Sequence, residues 1–159
     1  MNRGIVFDKK RCIGCYSCVV ACKQEQNLPP FPKQPPESGP EGPESLCIIE
    51  NGPKVVMDKI EYFFEAEVCM HCEDALCIDS CEEEAIYRDE VSGAVLVDQK
   101  RCNGCAICLA ACPYDIPQFY NNKMVKCDLC IHRLRQGKKA ACEQACPARA
   151  IKTELPSRN

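Results

Sequence analysis

The stretch "RCIGCYSCVVAC", Arg11 to Cys22, carries Cys12, Cys15, Cys18 and Cys22, and "RCNGCAICLAAC", Arg101 to Cys112, carries Cys102, Cys105, Cys108 and Cys112 at the same spacing. Two looser groups, Cys69, Cys72, Cys77 and Cys81, then Cys127, Cys130, Cys142 and Cys146, share a C-x-x-C, a longer gap and a C-x-x-x-C leading to Ala-Ile, as in "CIDSCEEEAI" and "CEQACPARAI". Of 17 cysteines, only Cys47 lies outside these groups. A C-x-x-C-x-x-C loop can wrap three thiolates around three corners of a cubic iron-sulfur cluster, while a fourth thiol on the helix that leaves the loop faces a different cluster. Gly14 and Gly104 suit a loop whose backbone curls tightly and offers N–H groups to sulfide. Zinc is the rival chemistry, in a structural or assembly protein. A four-cysteine zinc site, however, uses two separated hooks, and four thiolates packed this closely converge poorly on one ion. Disulfides fit less well, given the odd cysteine total and a chain that reads as cytoplasmic.

The elements that must position these thiols are short. The hydrophobic share of 46% includes the cysteines, so little ordinary core remains, and metal has to act as a staple whose binding energy becomes folding energy. A strand is expected at Ile5 to Phe7, then a proline-rich insertion over Leu28 to Ser45 with seven of the 12 prolines, which cannot form a regular element. A turn at Asn51 to Pro53 separates strands at Cys47 to Glu50 and, with interruption, Val55 to Ala66. Another hairpin runs from Ala85-Ile86-Tyr87 through Ser92-Gly93 to Ala94-Val97. The pattern is α+β, two bacterial-ferredoxin-like dicluster modules with short strands and helices around four iron-sulfur clusters. The shared "D-x-K-R-C-x-G-C-x-x-C-x-x-A-C", Asp8 to Cys22 and Asp98 to Cys112, is an internal repeat. It divides the chain into an outer module (residues 1–27 and 119–155), an insertion with hairpin (28–61) and an inner module (62–118).

Other features narrow the function. A formal net charge of −3, made more negative by thiolate clusters, speaks against nucleic acid as a partner. No nucleophile with a general base, phosphate loop or nicotinamide fingerprint is present, so catalysis by this chain is not expected. Neither a leader nor an apolar run long enough to span a membrane is evident; a soluble, cytoplasmic chain without its own anchor is expected, with export beside a signal-bearing partner left open. Cys47 reads as a small, partly buried hydrophobe. His71, in "CMHC", fills loop space, with hydrogen bonding to a cluster as the alternative. His132, in the basic "CIHRLRQGKK", lies on a solvated helix, with a docking patch as the alternative.

"CNGCAICLAACP", Cys102 to Pro113, matches the bacterial ferredoxin pattern C-x-x-C-x-x-C-x-x-x-C-P, in which the fourth thiolate ligates the other cluster of a pair. More broadly, "KRCIGCYSCVVACKQEQNLPP", "CMHCEDALC", "CNGCAICLAACPYDIPQF" and "KCDLCIHRL" resemble the four-cluster electron-transfer subunits of molybdenum and tungsten pterin oxidoreductases, of the dimethyl sulfoxide reductase, formate dehydrogenase and tungsten aldehyde oxidoreductase type. The resemblance implies four [4Fe-4S] clusters: Cys12, Cys15 and Cys18 with Cys146; Cys127, Cys130 and Cys142 with Cys22; Cys69, Cys72 and Cys77 with Cys112; and Cys102, Cys105 and Cys108 with Cys81. It also implies a molybdenum or tungsten pterin catalytic subunit and a second redox partner such as a flavin subunit or ferredoxin. A freestanding polyferredoxin, or one that self-associates into chains of clusters, is the alternative. Glu82 stands after Cys81 where such relatives commonly have proline, and its charge would lower the potential of the neighbouring cluster.

Anaerobically purified chain is expected to contain about sixteen irons, four per cube, with stoichiometric zinc the contrary result. Cys47→Ser is expected to leave that iron content unchanged, and chelation to abolish cooperative unfolding followed by circular dichroism.

Overall fold

The computed structural model describes residues 4–30 and 43–155. Most of the proline-rich insertion, residues 31–42, therefore lies outside the described residues. In chain order the elements are β1 (Ile5–Phe7), α1 (Ser17–Glu25), β2 (Leu46–Glu50), β3 (Lys54–Val56), β4 (Lys59–Glu61), β5 (Phe64–Val68), α2 (Leu76–Asp79) and β6 (Ile86–Arg88). There follow β7 (Val95–Val97), α3 (Ile107–Ala111), β8 (Gln118–Tyr120), β9 (Lys123–Val125), α4 (Ile131–Leu134), α5 (Ala141–Ala145) and β10 (Ile151–Thr153). The strands form antiparallel two-stranded ribbons, β1 with β10, β2 with β5, β3 with β4, β6 with β7 and β8 with β9. A two-stranded ribbon is marginal in water by itself, so each must bury a face against something else.

The repeated sequence gives repeated local structure. In both copies the aspartate turns the chain into the cysteine loop: Lys10 N–H donates to Asp8 Oδ1 at 2.9 Å, and Lys100 N–H to Asp98 Oδ1 at 2.8 Å, an aspartate turn in each case. The same aspartates join the two looser groups, since Asp8 N–H donates to Ala150 O at 2.8 Å and Asp98 N–H to Ala85 O at 2.7 Å. Helices α1 and α3 start alike, after Tyr16 (φ 57°) and Ala106 (φ 64°) in the left-handed region, each just before the third cysteine of its loop. Helix α1 packs on α5 as α2 packs on α3, and β1–β10 corresponds to β7–β6. Register Ile5↔Thr153 and Phe7↔Ile151 thus brings the two ends of the described chain together.

Two expectations change. The interrupted strand over Val55 to Ala66 is three strands: Met57 (φ 49°) and Asp58 (φ 60°) make a tight reversal between β3 and β4, and β5 returns to pair with β2 over Leu46↔Val68 to Glu50↔Phe64. Two consecutive positive-φ residues match the right-handed twist of a two-residue hairpin, which the sequence does not advertise because neither residue is Gly or Asn. The basic stretch after Cys130 is not one solvated helix. Helix α4 stops at Leu134, Ile131 is buried, and the chain reverses through Gly137 (φ 71°). Arg133 then binds Lys139 O at 2.8 Å and Glu25 Oε2 at 2.7 Å, while His132 Nε2 meets Glu25 Oε1 at 2.7 Å, so this segment is tied to α1.

The core is divided and contains the thiols themselves. One buried cluster joins Cys18, Cys22, Cys130 and Cys142 to Val19, Leu46, Ile48 and Ile151; a second joins Cys108 to Ile86, Val95 and Met124. A third joins Ala94, Cys127, Leu129 and Ile131.

Gly104 has φ 77°, and a Cβ there would sit 2.4 Å from Asn122 O, whereas Gly137 has φ 71° with nothing within 4 Å. Gly137→Ala is expected to cost only the left-handed strain of about 1–2 kcal/mol. Gly104→Ala adds displacement of the β8–β9 turn and is expected to lose at least about 1 kcal/mol more. Comparative thermal unfolding of the two variants under anaerobic conditions checks the order.

Candidate metal centres

The structure brings the cysteine groups together across the sequence. A cavity of about 430 Å³ is lined by Cys69, Cys72, Cys77 and Cys112, with His71 and Lys126 in its wall. Cys81 lines a tighter cleft with Cys102, Cys105 and Cys108, closed by Phe119 and Met124. Cys12, Cys15 and Cys18 line another with Cys146, between Phe7, Ile48 and Ile151. Cys22 shares its buried surroundings with Cys130 and Cys142, which add to the rise that burial causes at Cys22, and Cys22 and Cys142 add likewise to the rise at Cys127. Cys47 lies on β2, half-buried and apart from these sets. Among the described residues no three His, Cys, Asp or Glu side chains converge closely enough to hold one ion. The thiols stand around spaces.

The local backbone is arranged to serve sulfur. Gly14 N–H points to Cys12 Sγ at 3.4 Å, Leu129 N–H to Cys127 Sγ at 3.4 Å and Met124 N–H to Cys102 Sγ at 3.4 Å. The Ala-Ile signature acquires a reason: Ala85 N–H donates to Cys81 Sγ at 3.3 Å and Ala150 N–H to Cys146 Sγ at 3.2 Å, after a left-handed Glu84 or Arg149 has reversed the chain. Donation by N–H groups stabilises thiolate over thiol and spreads charge off a metal-bound sulfur. Gly14, at φ 65°, allows the close approach of Phe64, whose ring would lie 2.3 Å from a Cβ.

Burial works in the opposite direction. It pushes the thiols of Cys18 and Cys108 up to about 11 and that of Cys142 up to about 12, with neighbouring cysteines adding to the rise. Burial also raises Cys22 and Cys127, the latter far above the usual thiol range. Exposed Cys15 is the exception, lowered by hydrogen bonding to Ser17. Bare thiolates are therefore disfavoured at the buried positions just named, and a positively charged multi-iron core is a group whose binding offsets that penalty by displacing the protons. The donor set, the N–H groups aimed at sulfur and the cavity fit iron-sulfur clusters.

His71 and Lys126 are functional candidates of a different kind. His71 is 1% exposed; Val95 N–H donates to its Nδ1 at 3.0 Å, and its Nε2 has no partner among the described residues. Burial, and then the charge of Lys126, hold this imidazole neutral, with its pKa down to about 2. Lys126 is 6% exposed and donates through Nζ to Val95 O and, at 3.0 Å, to Cys127 O. Sequence reasoning missed Lys126, although a lysine set directly between apolar Met124-Val125 and a ligand-type cysteine in "MVKCDLC" was a usable signal.

Comparison with known proteins points to the same class of cofactor. Residues 60–155 match the 4Fe-4S dicluster domain. The chain is 36% identical over 151 residues to Protein NrfC of Escherichia coli (strain K12), covering 93% of this chain and 63% of that protein. It is 37% identical over 152 residues to the thiosulfate reductase electron transfer subunit PhsB of Salmonella typhi, covering 93% of this chain and 73% of the relative. A component of the anaerobic dimethyl sulfoxide reductase of Escherichia coli (strain K12) is likewise 37% identical, over 153 residues that cover 93% of this chain and 71% of the relative. The chain thus spans less than two thirds of the length of NrfC. Motif spacing, thiol-lined spaces and these matches converge on one conclusion: the chain belongs to the 4Fe-4S dicluster domain family.

Proposed function

We propose that this chain relays electrons through four [4Fe-4S] clusters between a molybdenum or tungsten pterin catalytic subunit and a second redox partner, without catalysis of its own. Such clusters, when bound, accept and release single electrons. The observation that carries the reading is that cysteines from distant segments share spaces, Cys112 with Cys69, Cys72 and Cys77, Cys81 with Cys102, Cys105 and Cys108, and Cys146 with Cys12, Cys15 and Cys18, while Cys22 is buried with Cys130 and Cys142. The similarity to PhsB, by name an electron transfer subunit of thiosulfate reductase, supports it. Among the described residues no helix is long and apolar enough to cross a membrane. A reducing compartment such as the cytoplasm suits a chain dense in unpaired thiols.

The proposed ligand sets are Cys12, Cys15, Cys18 and Cys146; Cys22, Cys127, Cys130 and Cys142; Cys69, Cys72, Cys77 and Cys112; and Cys81, Cys102, Cys105 and Cys108. They define two dicluster modules: an inner one over residues 62–118, and an outer one built from 1–27 and 119–155, with 28–61 as an insertion. The chain's own contribution would be to hold each cube on thiolates, in clefts that apolar side chains such as Phe7, Ile48, Phe119 and Met124 also line. The outer crossover also ties the ends of the chain through metal. Cross-links closing loops on the order of a hundred residues stabilise by about 4–5 kcal/mol in chain-entropy models.

Substitution of the fourth cysteines tests both ligation and function. Cys22→Ser and Cys130→Ser are expected to alter the same cluster signal in electron paramagnetic resonance of the reduced chain, whereas Cys146→Ser alters the signal that Cys12→Ser alters. A common signal for Cys22→Ser and Cys12→Ser would contradict the crossover. Copurification of the native chain with a pterin-containing subunit, and loss of electron transfer from that subunit to an external acceptor when the chain is removed, are the expected results for the relay.

A further inference from the structure

Group two and group four are related by the internal repeat, and their differences isolate what each cavity needs. His71 is the third residue of "CMHC", Leu129 the third of "CDLC"; both have positive φ, 52° and 57°, and both are buried, 1% and 0% exposed. Leucine therefore suffices to fill this position in the fold. Histidine adds two nitrogens. Because Nδ1 accepts from Val95 N–H at 3.0 Å, the ring proton sits on Nε2, and this buried donor has no acceptor among the described residues. A buried N–H left unpaired is destabilising, a penalty that Leu129 avoids and that His71 recovers by donating to a group held in the cavity.

The second difference lies one residue before each group, where Val68 precedes Cys69 and Lys126 precedes Cys127. The Lys126 side chain leaves its own group and enters the wall of the Cys69–Cys112 cavity, held there by Val95 O and Cys127 O. Two acceptors account for two of its three ammonium hydrogens. Val95 organises both side chains, its N–H fixing His71 and its carbonyl fixing Lys126.

We propose that His71 and Lys126 form a redox-tuning wall: His71 Nε2–H donates to a sulfur of the cluster in the Cys69–Cys112 cavity, Lys126 supplies a buried positive charge beside it, and this centre is thereby the most readily reduced of the four. The proposal rests on the ligand sets given under the proposed function. A hydrogen bond to sulfur and a nearby cation both favour the more negative, reduced state, and in a low-dielectric site neither is screened by water. An electron entering from either partner would then pause at the inner module, at the cavity whose wall carries the residue linked to Cys127 of the outer set.

The test is an anaerobic potentiometric titration of the full chain followed by electron paramagnetic resonance, with the relevant signal assigned first by Cys112→Ser. His71→Leu, which copies Leu129, is expected to lower the midpoint potential of that signal and leave the other three in place, with iron content unchanged. Lys126→Met is expected to lower the same signal. His71→Gln, which keeps an N–H near the Nε2 position, is expected to stay closer to the parent value than His71→Leu. Unchanged potentials in His71→Leu and Lys126→Met, a shift in another signal, or a parent chain in which this signal is not the highest would overturn the proposal, as would loss of about four irons per chain in His71→Leu, the mark of a purely structural role. Failure of the ligand sets shows separately, as Cys112→Ser and Cys77→Ser altering different signals; His71→Leu is then read against the Cys77 signal, where an unchanged potential again overturns the proposal.

Discussion

A buried thiol is comfortable as a thiol and costly as a thiolate, and the whole molecule turns on that conflict. Cys18, Cys22, Cys108, Cys127 and Cys142 are all pushed upward by burial, and they sit inside the apolar clusters where another protein would place Leu or Ile. A fold built this way has no independent core to rely on. Its helices of four to nine residues and its three- to five-residue strands are too short to persist unaided. Metal that takes up the thiolates converts the least favourable feature of the core into its main cross-link, and the backbone N–H groups aimed at Cys12, Cys81, Cys102, Cys127 and Cys146 complete the arrangement.

Internal repetition explains how so little regular structure is placed reproducibly. Asp8 and Asp98 each set the entry to a cysteine loop, and each is bonded through its backbone N–H to the returning segment at Ala150 or Ala85, so one residue type connects a tight loop to its looser partner group. Once two such units exist, the differences between them can carry function. Leu129 opposite His71, and Val68 opposite Lys126, leave one cavity of the set with polar groups that its counterpart lacks. Similar scaffolds with different walls are a means of giving chemically identical clusters different potentials.

Much of the site was legible in the cysteine spacing because metal geometry acts over three or four residues, which is the range sequence patterns record. The internal repeat was legible for the same reason, and the short hairpin at Ile86–Arg88 and Val95–Val97 followed from alternation around Ser92-Gly93. The reversal at Met57-Asp58 was not, since both residues hold a left-handed conformation without the usual glycine or asparagine. Nor was the break in the basic stretch after Leu134, where the anchoring of Arg133 to Glu25, 108 positions away, outweighs local helix propensity.

By itself, then, the sequence determined the chemistry: four groups of thiols, their loops, and the class of cofactor that such loops suit. Tertiary structure decided which surroundings each thiol meets. That Cys146 stands beside Cys12, Cys15 and Cys18, that Lys126 reaches a cavity belonging to another group, and that His71 presents one nitrogen to Val95 while the other has no partner among the described residues all depend on segments far apart in the chain. Spacing encodes local covalent reach. Burial, desolvation and the alignment of distant backbone groups arise only when the ribbons and short helices pack, and in this protein they set the charge balance around the thiols.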